Sequence, residues 1–191
     1  MADNQLGFFE SINSVISICI EEKSKDPIYI LKRLMSEPFC RMHGPEHHTL
    51  VGFALLCAYK NSDGRLELEA SLREMYKRSK SIPGGVCAMW GACGAAISSG
   101  IYVSIVTGSS PLSDDVWRMP LKMTSLSLDA ISRFGGPRCC KRDSYISIIK
   151  AAEFTRQYLN VKMDTEKPIC SHYHKNQQCL KRKCPFYKSE K

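Results

Sequence analysis

The chain has 191 residues and a formal net charge of +8, long enough for one domain with a buried core. Its ten cysteines would build a disulfide framework in a small secreted protein. The N-terminus, however, has neither the cationic start nor the unbroken apolar stretch of a secretory signal, so the expected setting is a reducing cytoplasm where clustered thiols serve metal or catalysis. The longest small and apolar run, GACGAAISSGIYVSIVTG, is too short and too rich in Ser and Gly to cross a bilayer, and no membrane partner is expected.

Helical periodicity dominates and strand-like alternation is nearly absent, which predicts a mostly α fold. Phe9, Ile12, Ile16 and Ile20 mark one face of a first helix, and Ile28, Leu31 and Leu34 a shorter second. After HGPEHH, residues Leu50 to Tyr59 are apolar almost all round, the pattern of a central, buried helix. Leu68, Leu72, Met75 and Tyr76 describe a one-sided surface helix. From Trp90 to Val106 small residues crowd together, with Gly91, Ala95 and Ser98 near one face that suits close packing. Met123, Leu126, Ala130 and Phe134 define the next helix, ended by Gly135, Gly136 and Pro137. Tyr145, Ile148, Ile149, Ala152 and Leu159 stripe the last. The expected organisation is a single helical domain over residues 1–160 and a short cysteine-rich tail over 161–191, with the boundary between Asn160 and Pro168.

Three glycine-proline elbows each lie beside ligand-type residues. Cys40 and His43 precede Gly44-Pro45, followed by Glu46, His47 and His48. Pro83-Gly84-Gly85 precede Cys87 and then Cys93, and Gly136-Pro137 precede the adjacent Cys139 and Cys140. Proline in the first and third elbows suits the first helical position, where its missing N–H has no helical partner. A helix N-terminus favours anions, and with Arg138, Lys141 and Arg142 alongside, Cys139 and Cys140 are expected to ionise easily. Several thiolates meeting at one point repel unless a cation neutralises them, so Cys87, Cys93, Cys139 and Cys140 are read as metal ligands. The irregular spacing fits no zinc ribbon and favours an iron–sulfur cluster, with Zn2+ as the alternative. His43 and His47 are candidate extra ligands or proton carriers and Glu46 a candidate base, whereas Cys19 and Cys57 read as core residues and His48 as a hydrogen-bonded helix-start residue.

The terminal CSHYHKNQQCLKRKCPFYK carries Cys170, Cys179 and Cys184 as further metal ligands, forming either a second site or, if the tail folds back onto the helix elbows, the remainder of the same one. Their spacing resembles the first three ligands of RNA-binding fingers with three cysteines and one histidine, but Lys188 stands where the final histidine would fall, leaving His172 or His174 to close the set. Residues 162–191 hold eight Lys or Arg against three Asp or Glu, and Lys181, Arg182 and Lys183 are candidate contacts to RNA phosphate.

The segments HGPEHHTLVGFALLCAYKN, PGGVCAMWGACGAAISSGIYVSI, GGPRCCKRDSYISI and CLKRKCPF resemble an uncharacterised family of cysteine-rich archaeal and bacterial domains found alone or beside radical-SAM or methyltransferase modules. The resemblance implies such modules as partners and carries no established activity. The functional expectation is a metal-centre protein, iron–sulfur in kind, in redox or sulfur-transfer chemistry on a small molecule or RNA base. Two rivals stand beside it: a zinc-stabilised RNA-binding or interaction protein without catalysis, and a metal-free thiol enzyme using Cys139 or Cys140 with His43 or His47 as base.

Overall fold

In the computed structural model, which describes residues 11–188, α1 (Ile12–Glu21) and α2 (Pro27–Ser36) are joined by a turn organised around Glu22. The Glu22 carboxylate accepts from the backbone N–H groups of Lys23 (2.8 Å) and Ser24 (2.9 Å) and from Arg33 Nη1 (2.8 Å). Asp26 then caps α2, accepting from the Ile28 N–H at 2.8 Å, and Pro27 takes the first helical position, where no donor is lost.

The next helix, α3 (His47–Asn61), is buried continuously from His47 to Tyr59. A helix without a polar face has to be enclosed on every side, and α3 packs against α2, α4 (Leu68–Ser79), α6 (Gly94–Thr107) and α8 (Cys140–Tyr158). A single turn, α5 (Val86–Met89), precedes α6, and α7 (Arg118–Ser132) lies across α6 and α8. Small residues permit the close approaches: a Cβ on Gly52 would strike the Met75 side chain, and one on Gly100 would meet the Thr124 hydroxyl and the Pro120 carbonyl.

The expected faces hold in α2, α3, α4 and α8 and need correction elsewhere. On α1 the buried residues are Val15, Ile16 and Cys19, and Ile20 is 40% exposed; Phe9 lies outside the described residues. Gly91 sits in the loop before α6 with φ of +66° and shares no helical face with Ala95 and Ser98. Ser127, hydrogen-bonded to Ser99 at 3.0 Å, occupies the buried side of α7 while Leu126 faces solvent. Neither elbow proline enters a helix: α3 starts two residues after Pro45 and α8 three after Pro137.

Beyond α8 the described chain has no α-helix, only two short 3-10 turns, Tyr173–Lys175 and Lys181–Lys183, and an isolated bridge between Cys170 and Tyr187. It nevertheless docks on the helices. The Asp164 N–H donates to the Lys25 carbonyl at 3.1 Å, Met163 and Phe186 join the core, and the Phe186 ring meets Tyr145 edge-on at 5.4 Å. The described residues contain no strand, and no helix is long and apolar enough to cross a membrane.

Candidate functional site

Cys139 is the N-cap of α8, with extended backbone (φ −142°, ψ 101°), and Cys140 is its first helical residue. The change of backbone conformation between them sends the adjacent sulfurs to different places. Cys140 lines an open cavity of about 780 Å³ together with Cys87 and Cys93. Cys139 lines a much smaller space with Cys170, Cys179 and Cys184. The seven cysteines proposed from sequence as ligands thus fall into a set of three and a set of four.

The elbows bring the first set together. Gly85, at φ of +85°, turns the chain into α5 and so places Cys87, while Cys93 is the N-cap of α6. Glycine at 94 is required because a Cβ there would strike the His48 ring, which forms part of the same wall. His48 Nδ1 donates to the Ile82 carbonyl at 3.3 Å, the helix-start role expected for it. His43 also lines the cavity, and its Nε2 donates to Asn176 Oδ1 at 3.4 Å. That bond leaves Nδ1 as the lone-pair nitrogen, buried and without a hydrogen-bond partner among the described residues. Burial lowers the His43 pKa below the ordinary imidazole value, despite the Asn176 bond, so the ring is neutral at pH 7. Cys87 and Cys93 also border an adjoining groove of about 870 Å³ along α7.

The thiols are not the ready anions the flanking charges suggest. Burial raises Cys93 to about 12, with Asp143 adding to the shift and the N–H groups of Ala95 and Ala96 opposing it. Burial likewise raises Cys139 to about 11 and pushes Cys140 up, against the Gly44 N–H and Arg138. The cations of the elbow are used elsewhere: Lys141 Nζ donates to Cys40 Sγ at 3.0 Å, and Arg142 Nε donates to Asp143 Oδ1 at 2.9 Å. Burial thus opposes ionisation of Cys93, Cys139 and Cys140, and a metal bound there would displace their protons.

Glu46 and His47 belong to a third group. Cys40, Glu46 and His47 bring a sulfur, a carboxylate oxygen and a ring nitrogen within 4.8 Å of one another, a set that could hold a metal ion. Cations of the chain already face it. Arg41 donates to Glu46 through Nη2 (2.8 Å) and its backbone N–H (2.9 Å), and the buried Lys141 ammonium sits on Cys40. His47 Nδ1 donates to the Gly44 carbonyl at 3.0 Å, leaving Nε2 toward Cys40 Sγ at 3.8 Å; burial and then Lys141 hold its pKa well below the ordinary value. A metal here has to displace Lys141. Neither Glu46 nor His47 lines the elbow cavity. Cys40, Lys141 and Asp143 were not singled out as site residues from sequence; the spacing of Cys40 and His47 across Gly44-Pro45 was the available signal for the first.

The second set of cysteines lines a space of about 20 Å³ together with aromatic residues that include Tyr145, Phe186 and Tyr187. Its tail sulfurs are held by backbone donors: the His172 N–H to Cys170 Sγ (3.4 Å) and the Lys181 N–H to Cys179 Sγ (3.3 Å). Asn176 reaches both sites, since its Nδ2 donates toward Cys139 Sγ at 3.8 Å while its Oδ1 accepts from His43. His172 lines this space, and His174 is exposed. Lys181, Arg182 and Lys183 form an exposed 3-10 turn on the outer side.

No curated protein and no solved structure matches the chain. A family model does match, over residues 15–187, a span that starts within α1 and takes in every cysteine of both sulfur sets. Both pockets lie within that span, and the chain belongs to the family of unknown function DUF5714.

Proposed function

We propose that the protein binds an iron–sulfur cluster at Cys87, Cys93 and Cys140 and serves redox or sulfur-transfer chemistry on a small molecule or RNA base. The observation that supports this reading is that Cys87, Cys93 and Cys140, from three separate segments, line one cavity of about 780 Å³. That volume leaves room beside the ligands for both a cluster and a substrate, and the groove along α7 extends it. Three thiolates leave an iron without a cysteine ligand. His43 Nδ1, a neutral buried nitrogen with no partner among the described residues, fits that position or the role of proton acceptor beside it.

Charge supports the same reading. Arg41 and Arg138 line the cavity, with Arg142 buried behind Asp143; the carboxylates nearby are Asp143 and Glu46. A thiolate-ligated cluster is anionic, so an excess of cations is what its surroundings need. When bound, the cluster would supply electron transfer or an open iron for substrate. The chain's own residues position the thiols at helix starts, hold His43 in one tautomer through Asn176, and keep Asp143 at the cavity edge.

Anaerobically purified protein should be brown and contain iron with acid-labile sulfide. Cys87→Ser, Cys93→Ser and Cys140→Ser should each strip most of the iron while preserving the far-UV circular dichroism of the helices. A colourless protein, or one keeping full iron in all three variants, refutes the assignment.

A further inference from the structure

We infer that Cys139, Cys170, Cys179 and Cys184 hold a single Zn2+ ion as a tetrathiolate site, separate from the elbow cavity, and that this ion clamps the tail onto the start of α8.

Size is the first reason. The four cysteines line one space of about 20 Å³, which takes one water-sized occupant; no three of their sulfurs lie within 4.8 Å of one another, so the ion would draw them together. The space has no room for a cubane, in contrast to the cavity on the other side of the elbow. Four cysteines lining one ion-sized space supply the donor types of structural zinc.

The surroundings are also those of bound thiolates. Cys170 and Cys179 each accept a backbone N–H from two residues onward, and the Asn176 amide points at Cys139. The Tyr145 side chain is fully buried and lines the same space, yet its hydroxyl has no hydrogen-bond partner among the described residues. A buried hydroxyl left unpaired is costly, and a thiolate in this space gives it an acceptor. Donors outside the ligand set orient metal-bound sulfurs and temper their charge.

A mechanical need completes the argument. Residues 161–188 contain no α-helix and dock on the body through Met163 and Phe186, and an ion shared with Cys139 would add a crosslink to that packing. Cys139 is the member of the set contributed by the helical body, so the ion would join tail to body.

Elemental analysis of the full-length chain should find one zinc per chain. Cys139→Ser, Cys170→Ser and Cys184→Ser should each lose it, whereas Cys140→Ser and His172→Ala should keep it. Loss of zinc in Cys140→Ser or His172→Ala, or its retention in Cys139→Ser, overturns the assignment. Because a cysteine variant can fail to fold, the wild-type apo chain should also be titrated with Co2+. One equivalent should give tetrahedral d–d bands with the thiolate charge-transfer intensity of four sulfurs, and hydrogen exchange over residues 170–187 should slow on binding. A six-coordinate spectrum, or unchanged exchange, refutes the clamp. The zinc readings do not depend on iron in the elbow cavity, so this inference and the cluster proposal fail separately.

Discussion

At Cys139 and Cys140 one peptide bond separates two side chains that serve different cavities, because the N-cap keeps extended dihedrals while the next residue is already helical. Charge at this scale follows contacts rather than sequence neighbours. Lys141, beside two cysteines in the chain, places its ammonium on Cys40, and Arg142 turns to Asp143. Glu22 offers a clean test of how such local polar contacts act. Burial alone would raise its pKa, but the N–H bonds from Ser24 and Lys23 and the contact with Arg33 outweigh it and hold the carboxyl below the ordinary value. The unfolded chain therefore takes up a proton at higher pH than the folded one, so this stabilisation is complete above the unfolded pKa and disappears as pH falls through the folded pKa. Glu22→Gln should lower stability by about 1–2 kcal/mol at pH 7, given that Arg33 is partly solvated. Urea unfolding should show the gap between wild type and variant closing as pH falls below the ordinary glutamate range.

Among the elements, the helices were legible wherever a continuous apolar stripe met a single partner face. The pattern from Leu50 to Tyr59, apolar all round, has one solution, enclosure, and α3 adopts it. Faces mixed with serine were harder to read, because Ser99 and Ser127 satisfy each other only once α6 and α7 are paired. The elbow prolines point to helix starts but do not occupy them. At the first elbow the carboxylate of Glu46 is drawn back to the Arg41 N–H, and the helix begins just beyond it. The approach of α6 to α3 is set at Gly94, where any side chain would enter the His48 ring. Gly94→Ala should destabilise the fold by about 1–3 kcal/mol and reduce metal bound in the elbow cavity. Gly84→Ala, whose Cβ would have only Pro45 Cδ in reach at 3.9 Å, should stay within about 0.5 kcal/mol. Urea unfolding with metal analysis distinguishes the two.

For the molecule as a whole, the question is whether the segment after α8 is an appendage or part of the body. Phe186 answers it structurally, since its ring lies in the core against Tyr145, and Met163 is buried alongside the helices. Phe186→Ala should therefore lower the stability of the entire protein by about 3 kcal/mol, and helical circular dichroism and tail hydrogen exchange should report one shared transition. A helical transition that does not move would mean that the tail folds independently of the body. The basic turn Lys181–Lys183 stays outside this packing, with its side chains in solvent.

The mostly α character, the buried central helix, the elbows and the residue types able to bind metal were determined by sequence alone, because apolar period, glycine and proline constraints and donor softness are local properties. Only the tertiary structure decided that the cysteines divide into a wide cavity and a tight one, that Lys141 serves Cys40, and that burial pushes the Cys93, Cys139 and Cys140 thiols up. Those outcomes depend on which distant segments share a wall and on how much water they exclude, and neither quantity is defined until the helices have packed.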